Sequence, residues 1–220
     1  MTTKKAVSGR DDLERALRLI DGSLARGVTA YLIGGCAMML YNAKMATKDV
    51  DLVLMSAQDA WCVVDALSKN GFKRTEPEND AYCRLGTTTI MEDDKGMRID
   101  IFVETVCRKL RVSKTMVARS TIHARYGRLE IRLISPEDIF LFKSMTERAG
   151  DLDDMALLSE RGLDWSVVLD ECSNQGGEVI LESFVAVRLQ ELEDEKGIVV
   201  PIKGDLEAIT ERRLSSRHSP

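Results

Sequence analysis

Residues 31–55 read YLIGGCAMMLYNAKMATKDVDLVLM: a strand, a glycine turn, a short helix, and a second strand that opens on two acids. The apolar run Tyr31-Leu32-Ile33 stops at Gly34-Gly35, as a buried strand stops at a tight turn. Residues 36–41 then carry helix-compatible Ala, Met and Leu. Asp49 and Asp51 lie two apart at the head of the strand 49–54, so both side chains leave the same face. Carboxylates side by side repel each other unless a cation lies between them. Magnesium, which prefers carboxylate oxygens, is the candidate.

A third acid, Asp100, sits among the apolar residues of the strand-like run RIDIFV, 98–103. If this strand lies beside 49–54, three carboxylates converge, as a two-metal phosphoryl or nucleotidyl transfer site requires. The plainer alternative is that each acid marks a strand start or pairs with an arginine, as Arg98 could serve Asp100. Gly34 and Gly35 would let the backbone approach phosphate oxygens, with the N–H groups of the following helix facing negative charge. Taken alone, a glycine pair equally suits any tight strand-to-helix turn.

Outward from this centre, 11–25 has helical spacing with Asp11 or Asp12 as cap, and 57–69 is a helix closed by Asn70-Gly71. Short strands are expected at 72–74 and 82–91, with turns at 76–80 and at the acidic 92–96, a solvated loop rather than a metal site. A short helix at 112–119 precedes a hairpin around Gly127. Its alternation sets Ile122, Leu129, Ile131 and Leu133 against His123, Arg125, Arg128, Glu130 and Arg132. Ser135-Pro136-Glu137-Asp138 is a helix start, and that helix is expected to run to Arg148 and stop at Gly150. Asp151 opens the next helix. Helices are expected at 165–172, 179–194 and 206–213, with a frayed polar end from 212.

The glycine pair, the acid-x-acid strand onset one short helix later and the third acid together resemble the nucleotidyltransferase superfamily related to DNA polymerase beta. GGCAMMLYNAKMATKDVDLVL, with SPEDIFLFKSMTERAGDLDDMALL downstream, is most similar to small bacterial and archaeal AbiEii-type toxin nucleotidyltransferases. The resemblance spans residues 30–158. It implies an α+β fold, a mixed sheet flanked by helices, with a catalytic core at 1–134 and a helical region at 135–220 packed on it. It implies a metal-dependent enzyme that moves an NMP from an NTP, ATP among the candidates, to an acceptor hydroxyl. Asp49, Asp51 and Asp100 would hold two Mg2+ ions, and Asp100 could also help deprotonate the acceptor. Lys143, Arg148 and the Gly34-Gly35 turn would hold the triphosphate, with Asp151 in the catalytic set. Lys143 could instead snorkel to the surface. Asp151 and Asp154 equally suit helix capping. The family pattern Arg-x-Lys-Asp departs here, with Gly150 where its lysine would stand.

The resemblance leaves the acceptor open. A tRNA end in a toxin–antitoxin setting, with a cognate antitoxin as partner, is the leading expectation. The alternatives are small-molecule or protein nucleotidylylation, and a nucleotide-binding regulator without turnover. RNA would call for a basic stripe, which Arg108, Lys109, Arg111, Lys114, Arg119, Arg125 and Arg128 could form, though such charges equally suit a solvated face. The net charge of −5 over 220 residues argues against a broadly basic, nucleic-acid-coating surface. Five widely spaced cysteines without a C-x-x-C pair read as reduced thiols. No run approaches a membrane span, and the first residues lack a signal-type apolar core, so a cytoplasmic protein is expected.

Overall fold

A computed structural model describes residues 9–76, 86–107, 109–146, 148, 150–176 and 181–217. Most of the expected turn at 76–80, the first residues of the expected strand 82–91, Cys83, Arg108, the start of the helix expected from 179, and the end of the tail lie outside the described residues. The centre is a mixed seven-stranded sheet of β1 (Val28–Ile33), β2 (Asp49–Leu54), β3 (Lys73–Thr75), β4 (Thr89–Glu92), β5 (Arg98–Val103), β8 (Thr121–Arg125) and β9 (Leu129–Leu133). Their order across the sheet is β3-β4-β5-β2-β1-β9-β8. Two-residue strands β6 (Thr105–Val106) and β7 (Leu110–Arg111) make a separate hairpin that the sequence reading lacked.

The three central strands are buried, so β1, β2 and β5 read as near-continuous apolar runs. Their polar exceptions, Asp49, Asp51, Arg98 and Asp100, cluster because β2 and β5 run parallel and in register. At the far edge, β8 is almost wholly exposed, and a register shift between Ile122 and Ala124 breaks its alternation. Ile122 is consequently exposed, contrary to the simple alternation.

The helices are α1 (Arg10–Ser23), α2 (Gly34–Leu40), α3 (Ala57–Lys69), α4 (Lys114–Arg119), α5 (Pro136–Ser144), α6 (Asp151–Ser159), α7 (Trp165–Asn174), α8 (Leu181–Lys196) and α9 (Lys203–Arg217). In α1 neither Asp11 nor Asp12 is the cap. Gly9 holds that position, and both acids sit in the first turn, where they favour the helix dipole. α9 continues to Arg217, past the expected end. The helix expected up to Arg148 stops at Ser144, and α6 begins at Asp151. This break brings Arg148 back toward Asp151.

α5 has the expected start, with Ser135 accepting from the Asp138 N–H. Ile139, Phe140, Leu141 and Phe142 are all buried, because α5 is the hub against which α2, α6, α7 and α8 pack. Phe140 meets Trp165 edge-on at 5.1 Å. Cys36, Cys62, Cys107 and Cys172 are buried free thiols. Among the described residues no helix is long and apolar enough to cross a membrane.

Candidate active site

The glycine turn is pressed onto the acids. Gly34 opens α2 with φ +62, and a Cβ there would lie 2.9 Å from the Asp51 Cγ. A Cβ on Gly35 would lie 2.9 Å from the Thr47 Cβ. The pair is therefore demanded by close approach to Asp51 and Thr47 as well as by the turn. Gly34→Ala is expected to cost at least about 1–2 kcal/mol from the left-handed backbone and to displace Asp51. Thermal melts and transfer rates should both fall, and wild-type values for both would refute this packing argument.

On the sheet, Asp51 stands opposite Asp100, and Asp49 stands opposite Arg98. Asp100 is 1% exposed. Arg98 closes on it with two bonds, Nε to Oδ1 at 2.7 Å and Nη2 to Oδ2 at 2.8 Å. The same Nε lies 3.9 Å from Asp49 Oδ1. The bidentate pair thus engages both oxygens of Asp100 with an arginine, the alternative that the sequence had left open.

Asp51 is pushed up to about 7, first by burial and then by the charge of Asp100, with Asp49 adding to it and Arg148 and Lys143 opposing. A carboxylate in that condition is relieved by a cation. Asp49 and Asp51 border a cleft of about 310 Å³. Among the described residues no three His, Cys, Asp or Glu side chains form a ready-made metal cage. Of the four aspartates that line the cleft, Asp151 and Asp154 are held by Lys143, and the carboxylate pair on the β2 side is Asp49 and Asp51. That pair suits magnesium, which takes one or two carboxylates and completes its shell with water and substrate phosphate.

The opposite wall comes from α5 and α6. Lys143 does not snorkel: it is 5% exposed, and its Nζ lies 2.9 Å from Asp151 Oδ1 and 2.6 Å from Asp154 Oδ2. Burial alone would lower its pKa, but Asp151 and then Asp154 outweigh this and raise it. Asp151 is lowered despite its burial, because Lys143 and Arg148 face it. Arg148 donates from its backbone N–H and its Nε to Asp151 Oδ2, at 3.1 and 3.2 Å. Gly150, in the left-handed region at φ 92, precedes α6 and lines the cleft.

Gly35, Asp49, Asp51, Lys143, Arg148 and Asp151 therefore share one cleft, with Gly34 packed against Asp51, and Asp100 opposite Asp51 on β5, held by Arg98. The sequence reading missed Lys44, Thr47 and Lys48, which line the same space. Their signal was position, since the loop entering β2 necessarily borders the acids at its head. The basic residues expected to form a stripe are largely engaged within the chain. Arg119 bonds Asp138 and Glu171, Arg125 bonds Glu130, and Arg111 bonds Glu104. Arg128 donates to the Leu24 carbonyl, and Lys109 lies over the Phe184 ring.

A family model described as "Nucleotidyl transferase of unknown function (DUF2204)" matches residues 10–199. No curated protein matches the sequence. Among solved structures, the chain is similar to the lincosamide antibiotic adenylyltransferase LnuA with lincomycin bound. That similarity has 19% identity and a TM-score of 0.46, and covers 70% of this chain and 98% of the other. It is also similar to TM1012 of Thermotoga maritima, described as a nucleotidyltransferase. There the identity is 14% and the TM-score 0.43, and the match covers 76% of this chain and 96% of the other.

Proposed function

The chain belongs to this nucleotidyltransferase family, and on that premise we propose that it transfers an NMP from a magnesium-bound NTP to an acceptor hydroxyl in the cleft between β2 and α5. One observation carries the reading: a carboxylate pair and a cluster of cations face each other across a single cleft. That is the charge pattern that metal-assisted transfer from a triphosphate needs. The core at 1–134 and the helical region at 135–220 would work as one unit, because the cleft takes residues from both.

Asp49 and Asp51 would hold magnesium, which when bound neutralises triphosphate charge and polarises the acceptor hydroxyl. A second ion would draw on Asp100, and so on release of that carboxylate from Arg98. Lys143 and Arg148 would hold the β- and γ-phosphates, while Asp151 keeps Lys143 charged and aimed. The Gly34-Gly35 turn would set the backbone near the phosphates without a side chain in the way.

The acceptor read first from the sequence is a tRNA end, in a toxin–antitoxin pair of AbiEii type. A specific observation favours a small hydroxylated compound: Arg119, within the stripe, is committed to two buried acids of the chain itself, Asp138 and Glu171, and a phosphate backbone would have to displace both partners.

The test is transfer from each of the four α-labelled NTPs, with magnesium, into total tRNA and into a panel of hydroxylated small molecules. Label on a small molecule with wild type, absent with Asp49→Ala and Asp51→Ala, is the expected result. Label on tRNA would return the acceptor to RNA. Magnesium-dependent nucleotide binding without pyrophosphate release would overturn transfer and leave a regulator.

A further inference from the structure

The loop between α2 and β2 carries a cation that the machinery described above does not use. Lys44 reaches across the cleft from the core to α6, and its Nζ lies 2.7 Å from Asp154 Oδ1. Asp154 is already served on its other oxygen by Lys143 at 2.6 Å. Two lysines thus converge on one carboxylate that is 4% exposed, while Lys44 itself is 32% exposed.

The loop root is held on both sides. Arg161 donates to the Tyr41 and Asn42 carbonyls, and Arg10 donates to the Asn42 side chain. At the far end Thr47 packs against Gly35. Lys44 therefore projects from a fixed position. Asp154 would keep Lys143 as a counter-ion without Lys44. The pair is poorly explained as a strut.

From this geometry we infer that Lys44 is a triphosphate ligand held in reserve, paired with Asp154 before nucleotide binds and transferred to the phosphates when the magnesium nucleotide enters. Asp154 is then a competitor of the substrate for Lys44 and Lys143, and its charge sets how tightly the triphosphate binds. The inference rests on the function proposed above and deepens it.

Both members of the pair can be removed singly, and the two roles predict different signs. Titration calorimetry with magnesium ATP and with magnesium tripolyphosphate would be run on wild type, Lys44→Gln, Lys44→Arg and Asp154→Asn, with KM and kcat measured alongside. Lys44→Gln is expected to weaken both probes about tenfold and to raise KM for the nucleotide, with kcat changed much less. Lys44→Arg should recover most of the binding. Asp154→Asn should tighten both probes several-fold. A strut would give the same sign for both variants, seen as a lower melting temperature with unchanged affinity, and this would overturn the role of Lys44 alone. Failure of wild type to bind either probe would overturn the nucleotidyl-transfer reading along with it.

Discussion

Asp51→Asn is expected to lose about a thousand-fold or more of the transfer rate while making the metal-free protein more stable. The two effects share one cause. Asp51 is buried against Asp100 and near Asp49, so its ionised form is disfavoured in the fold and its pKa stands at about 7 instead of the ordinary 3.8. Between about pH 4 and pH 7 the folded chain keeps a proton that the unfolded chain has lost. Stability in EDTA should therefore fall as pH rises through that window and level off above it. The full penalty is on the order of a few kcal/mol, which corresponds to several degrees of melting temperature at pH 8. Asparagine removes the charge and with it the pH dependence, but takes one of the two carboxylates, Asp49 and Asp51, from the proposed magnesium site. Melts from pH 4 to 8 in EDTA, with and without the substitution, check the stability half. A variant that melts below wild type at pH 8, or that keeps its transfer rate, would defeat the account.

The second large effect lies one strand away. Arg98→Met strips both bonds from Asp100, a carboxylate that is 1% exposed. An uncompensated charge at that depth costs about 3–5 kcal/mol. Denaturant midpoints should fall accordingly, and the double substitution Arg98→Met with Asp100→Leu should recover most of the loss, because an apolar pair leaves no orphan. If the single variant unfolds like wild type, the buried charge of Asp100 does not depend on Arg98 for its compensation. The same double variant bears on the metal. Transfer that survives in it means Asp49 and Asp51 suffice, and transfer that vanishes in a well-folded double variant means Asp100 is drawn into the site.

Much of this was legible in the chain. The strand 49–54, the helix 57–69 and the strand 98–103 were read with the bounds that they have, since each is a clear apolar run closed by a cap or turn residue. The helix start at Ser135 was equally plain, because Ser, Pro and the acid at the third position act through local hydrogen bonds. Its end was not, since the break after Ser144 answers to Lys143 and Arg148 meeting Asp151, a contact that no local pattern encodes. Ile122 failed because the register shift after it pairs it with Arg132, on the face away from Ile131 and Leu133, and no local pattern encodes that shift.

The sequence by itself determined which residues carry charge at the head of β2 and which turn precedes it, because period-two alternation and glycine chemistry act over a few residues. Only the tertiary structure decided what those charges face. Parallel pairing of β2 with β5 set Asp51 against Asp100 and Asp49 against Arg98. The packing of α5 and α6 over the sheet then set Lys143 between two aspartates and drew Lys44 across the cleft to one of them. Those pairings join residues up to 110 positions apart. Coulomb energy and burial depend on separation in space, which becomes defined only when the chain has closed on itself.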